Sequence, residues 1–118
     1  MSTMTNGKEY TRENVQTIVP AVNIVETRQS YILALDIPGA NKDDIKAQIE
    51  DNTLTVSASV SDYFPHDKEL ETLRRYHREF SLANDIDLGT VDAQYDLGVL
   101  TVTLHKKQQY LPKQITIN

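Results

Sequence analysis

Three histidines, His66, His77 and His105, are the side chains here best suited to proton transfer or metal ligation, and they stand 11 and 28 positions apart. Zinc-type sites place ligands in pairs a few residues apart, and this chain has no cysteine and no second histidine at that spacing. His105 stands beside Lys106 and Lys107 at what reads as a strand end, where a solvated imidazole is the ordinary outcome. The carboxylate pairs Asp43-Asp44 and Glu50-Asp51 flank turns, and acidic turn residues commonly cap their own backbone or stay hydrated. Ser57, Ser59 and Ser61 alternate along a polar strand face with no base beside them, so an activated nucleophile has no support. Gly7, Gly39, Gly89 and Gly98 are scattered and build no phosphate loop. No enzyme, metal site or cofactor is expected. What remains is surface, and surface is set by the elements that present it.

The 118 residues suffice for one domain with a real core. Seventeen acidic against twelve basic side chains give a net charge of −5, which argues against nucleic acid and anionic membranes as partners. Without cysteine there is no disulfide framework. The opening MSTMTNGKEYTRENVQ has no apolar run of the kind a signal peptide carries. No stretch approaches the roughly 18 apolar residues of a membrane span. A cytoplasmic location is expected.

Residues 1–18 are polar and aperiodic, with Met4, Tyr10, Val15 and Ile18 as sparse apolar content, and read as a short mobile arm. From Pro20 onward the pattern has period two, the signature of strands. Val22 and Ile24 alternate in PAVNIVET; Tyr31, Leu33, Leu35 and Ile37 share one face of SYILALDIPG until Pro38-Gly39 stops it. Ile45, Ala47 and Ile49 alternate in DIKAQIE, and Leu54, Val56, Ala58 and Val60 do so after the Asp51-Asn52 turn. Val91, Ala93 and Tyr95 share a face, Asp96-Leu97-Gly98 turns the chain, and Leu100, Val102 and Leu104 return. One dry and one wet face per strand means antiparallel sheets, and many short strands imply two sheets packed face to face. KELETLRRYHREFSLA is ambiguous. Leu70, Leu73, Tyr76 and Phe80 are spaced as a helical stripe, whereas Tyr76, Arg78, Phe80 and Leu82 alternate as a strand, and periodicity leaves both open.

Four stretches taken in order resemble the alpha-crystallin domain of the small heat-shock proteins: LDIPGANKDDIKAQIEDNTLTVSA, YHREFSLANDID, AQYDLGVLTVTLHK and the terminal ITI. The resemblance covers about residues 19–117 and implies an immunoglobulin-like antiparallel β-sandwich over 19–105, with a C-terminal extension over 106–118. It implies a strand, not a helix, over about 75–82. It also implies that 61–74 form a dimerisation loop whose short strand is exchanged with a partner, as in bacterial and plant members. That strand would pair with the partner's Ala21–Glu26 segment. Three departures stand out. Ala83 replaces a usual proline, Ala58 a common glycine, and Leu97 the usual Asn or Asp before Gly98. Because leucine resists left-handed backbone, a type II turn with positive φ on Gly98 alone is expected.

The resemblance implies an ATP-independent chaperone, a holdase that binds partly unfolded proteins and prevents their aggregation. The implied dimer interface comprises Ala21, Val22, Asn23, Ile24, Glu69, Leu70, Glu71, Leu73 and Arg78, the arginine in ionic contact with acidic neighbours. Ile115 and Ile117 point the same way, as period two requires, and residues 106–114 with Pro112 form an extended tether. Such a pair suits adjacent pockets in an apolar groove. The resemblance places that groove on a neighbouring dimer, between Ile45, Ala47 and Ile49 on one wall and Val91, Ala93 and Tyr95 on the other. From the residues themselves these six could equally face the core. The implied partners are a second copy by strand exchange, further copies through the tail, and unfolded proteins. An interaction module of the same architecture, a cochaperone domain without a client-holding oligomer, is the alternative.

Overall fold

Alternating apolar side chains fold this chain into strands wherever one face can be buried. The structure is a computed structural model and describes residues 3–5, 8–10, 15–62, 72–108 and 115–117. Two four-stranded sheets pack together. One has the order β4 (Val22–Glu26), β5 (Ser30–Asp36), β10 (Val99–Lys106), β9 (Ile86–Asp96). The other has β3 (Val15–Ile18), β8 (Thr72–Ser81), β7 (Thr53–Asp62), β6 (Ile45–Glu50). Thr3–Thr5 (β1) and Lys8–Tyr10 (β2) form a separate hairpin. The inner faces bury Leu33, Leu35 and Ile37 from the first sheet, with Leu100, Val102 and Leu104. Leu54, Val56, Ala58 and Tyr76 oppose them from the second. Each such large aliphatic side chain, fully buried, contributes about 1.5–3 kcal/mol.

Residues 72–81 are strand β8, which resolves the ambiguous segment. Tyr76 is buried and Phe80 half-buried on the inner face, while Leu73, Arg75, His77 and Glu79 turn to the other side. A helix would have gathered Leu73 with Tyr76 and Phe80. Pairing with β7 along ten positions overrides that spacing, because every residue from Thr72 to Ser81 opposes one of Asp62 to Thr53. The same pairing shortens the predicted loop. Ser61 opposes Leu73 and Asp62 opposes Thr72, so 61–62 and 72–74 belong to the hairpin strands rather than to a loop over 61–74.

Two further expectations are corrected. The arm is not wholly separate from the sandwich: Val15–Ile18 runs parallel to Leu73–Tyr76 as an edge strand, and Ile18 packs on the core. Leu97 takes φ +50° and Gly98 φ +81°, so both turn residues are left-handed, not Gly98 alone. The register explains it. Asp96 opposes Val99, leaving a two-residue hairpin loop, and type I′, one of the two turns that match strand twist there, has positive φ at both central positions. The β6–β7 hairpin solves the same problem with Asp51 and Asn52, at φ 52° and 57°, residues that tolerate it better.

Candidate functional site

The candidate site residues lie on three strand edges and one tail. Among the described residues β4 ends its sheet, paired with β5 alone. The amide of Asp36 donates to the Ala21 carbonyl at 3.0 Å and that of Thr27 to Ser30 at 2.8 Å, so the odd-numbered residues of β4 face β5. The alternation of an antiparallel ladder then leaves the N–H and C=O groups of Val22, Ile24 and Glu26 on the free edge. Ile24 faces inward and is 53% exposed, while Val25 faces outward and is 48% exposed. Beside Ile24 an apolar cavity of about 150 Å³ opens between the sheets, lined by Tyr31, Leu33, Phe80, Leu82 and Leu104 among others.

Among the described residues β6 and β9 are the free edges at the other ends of their sheets. Ile45, Ala47 and Ile49 lie opposite Ala58, Val56 and Leu54, and Val91, Ala93 and Tyr95 opposite Leu104, Val102 and Leu100. All six partners are buried, so all six edge residues face inward. They divide nonetheless. Ile45, Ile49 and Tyr95 pack against the core, and the Tyr95 hydroxyl donates to the Ile37 carbonyl at 2.8 Å. Ala47, Val91 and Ala93 stay exposed. Three of the six thus pack on the core, and three reach solvent along the two edges.

Arg78 lies on the inner face of β8 and donates to the Pro20 carbonyl at 2.9 Å, with its guanidinium 5.3 Å from the centre of the Phe80 ring. Glu69 and Glu71, acidic residues of the interface expected around Arg78, lie outside the described residues, as does Leu70. Leu73 is in β8. Ile115 and Ile117 are 82% and 91% exposed. Of the histidines, His66 lies outside the described residues, His77 sits 3.5 Å from Glu79, and His105 sits 3.0 Å from Asp92 on an open face. Among the described residues no three His, Cys, Asp or Glu side chains gather as metal ligands. Nor does any helix among them suffice to cross a membrane.

Residues 23–118 match the model of the Hsp20/alpha crystallin family. The chain belongs to that family. It is 34% identical over 107 residues to the 17.4 kDa class III heat shock protein of Arabidopsis thaliana, covering 81% of this chain and 69% of that one. It is 37% identical over 89 residues to the 22.7 kDa class IV heat shock protein of Pisum sativum, covering 69% of this chain but only 44% of the pea protein. Its fold is like that of a small heat-shock protein from Xylella fastidiosa, with TM-score 0.70, 24% identity, and coverage of 86% and 97% of the two chains.

One cluster in this alpha-crystallin domain escaped the sequence reading. Lys106 keeps only 10% of its side chain exposed, and its Nζ donates to Glu26 at 3.0 Å and to the Thr27 carbonyl at 2.9 Å, 4.9 Å above the Tyr31 ring. The Tyr31 hydroxyl donates to the Asp85 carboxylate at 2.9 Å. That hydrogen bond, with burial and the charges of Asp85 and Glu26, pushes the phenol up to about 12. The amides of Lys106 and Lys107 donate to the Gln29 and Asp85 carbonyls at 2.8 and 2.7 Å. The cluster thus clamps the point where the tail leaves the sandwich. Lys106 reads in sequence as one more solvated lysine at a strand end, so no local signal marks it.

Proposed function

We propose that this protein is an ATP-independent holdase that binds partly unfolded proteins through inward-facing apolar side chains left open at its sheet edges. The observation that carries this is the exposure of Ile24, Ala47, Val91 and Ala93 on faces that elsewhere form the core. Such surface accepts an unfolded segment by the same burial that builds the sandwich, and a free strand edge adds backbone hydrogen bonds. The net charge of −5 keeps a loaded complex soluble. On this reading two copies pair when the segment within residues 63–71 of each, with Glu69, Leu70 and Glu71, joins the other's β4 edge along Ala21–Glu26. This uses backbone groups left unpaired among the described residues, which is why strand exchange costs little. The isoleucines of the tail seat on the Ile45–Ile49 and Val91–Tyr95 edges of neighbouring dimers, and several weak tail contacts together hold a larger assembly.

The test is light scattering from a reporter enzyme heated to aggregation in the absence of nucleotide. A stoichiometric amount of this protein is expected to hold the reporter in solution. Full aggregation of the reporter at molar excess, with the protein itself folded, overturns the reading and leaves an interaction module of the same fold.

A further inference from the structure

Two of the apolar surfaces open to water among the described residues are the β4 edge with its cavity and the pair Ile115 and Ile117. Their geometry fits. A strand laid on β4 meets the free backbone groups of Ile24 and turns every second side chain toward the cavity. Ile115 and Ile117 are two apart, with Thr116 between them to face water. We propose that this isoleucine pair docks in cis on its own β4 edge, giving a closed subunit whose dimerisation edge is covered by its own tail.

The clamp at Lys106 makes the contact reachable. β10 and β4 run the same way, since each is antiparallel to β5, and Lys106 ties the end of β10 to Glu26 and Thr27 at the end of β4. A tail leaving there has to turn back and meets β4 antiparallel. Crossing from β10 past β5 and β4 takes three strand spacings, about 14 Å, and reaching down to Ile24 another ~7 Å. The path is about 16 Å, whereas residues 107–114 extend to roughly 26 Å. On the other side of the exit, the cleft along β9 is mixed, with Val91 among Asp87, Thr90, Asp92, His105 and Gln108. A tether this short holds its end at millimolar effective concentration, so the contact in cis forms before any contact between dilute subunits. Covering the edge also protects against edge-to-edge aggregation. The partner segment and the tail then compete for one edge, which couples dimerisation to release of the tail.

The absence of cysteine gives a clean background for the test. Ile24→Cys is combined in one chain with Ile115→Cys or Ile117→Cys, and the dilute protein is oxidised mildly. An intramolecular disulfide is expected, formed about tenfold or more faster than when Val25→Cys or Ala93→Cys replaces Ile24→Cys, as a contact at millimolar effective concentration requires. Val22→Cys serves as a second inward-facing probe should Ile24→Cys disturb the sandwich, checked by circular dichroism. Equal rates for the Val25→Cys or Ala93→Cys pairs overturn the proposal. So does linkage found only between chains when singly substituted proteins are mixed. The holdase reading is not at stake in this experiment, because reporter aggregation is measured separately on the unsubstituted protein.

Discussion

Replacing Arg78 with alanine removes the side chain that holds the β3–β4 link onto the sandwich. Its guanidinium donates to the carbonyl of Pro20, a buried residue, at 2.9 Å, and lies 5.3 Å from the Phe80 ring centre. A hydrogen bond from a charged donor contributes about 1.5–3 kcal/mol, and truncating it leaves the carbonyl without that donor. The ring contact at a half-exposed site adds roughly 0.5–1 kcal/mol. Because Arg78 is itself half-buried, the low end is the better expectation, about 2 kcal/mol. For a domain of this size that lowers the melting temperature by roughly 8–12 °C. Urea unfolding should be run at fixed concentration in the Ile115→Ala/Ile117→Ala background, since association adds stability of its own. The partner's chemistry supplies a second check. A carbonyl does not titrate, so the loss should be the same at pH 4 and pH 7, whereas a carboxylate partner would make it shrink in acid. A loss under about 0.5 kcal/mol, or one that vanishes in acid, would refute the assigned role of Arg78.

Leu97, 94% exposed at φ +50°, makes no packing that would be missed, so Leu97→Asn should stabilise by about 1 kcal/mol in thermal unfolding. Tyr31 is raised from 10.0 to about 12 chiefly by its hydrogen bond to Asp85. Its neutral form is therefore favoured in the folded state, and that stabilisation is complete below pH 10 and lost as pH climbs toward 12. Tyr31→Phe should accordingly lose stability less steeply than the parent between those pH values, as followed by circular dichroism. Replacing Ile115 and Ile117 together with alanine should leave folded dimers and remove larger species in size-exclusion chromatography. A parent larger than a dimer whose variant elutes unchanged would exclude the tail as the tether.

Strands β5, β7 and β10 are legible from sequence because each buries one face, and alternation is a relation between residues next to each other in the chain. The same relation marks Ile45, Ala47 and Ile49, and Val91, Ala93 and Tyr95, as facing one way. It does not tell that Ile45, Ile49 and Tyr95 pack on the core while Ala47, Val91 and Ala93 reach solvent, which depends on β6 and β9 ending their sheets. β8 carried two periodicities at once, and ten paired positions with β7 chose between them. Leu97 looked unfit for left-handed backbone, yet pairing of the flanking strands left a two-residue loop in which it takes φ +50°. Val15–Ile18 lacks an alternating pattern to announce it and gains its place from the edge of β8. Arg78 meets Pro20 across 58 residues, Tyr31 meets Asp85 across 54, and Lys106 meets Glu26 across 80. Local pattern thus determined which residues form strands and which face is dry. Only the tertiary structure decided which strands became edges and which polar groups met, because those are contacts between segments far apart in the chain.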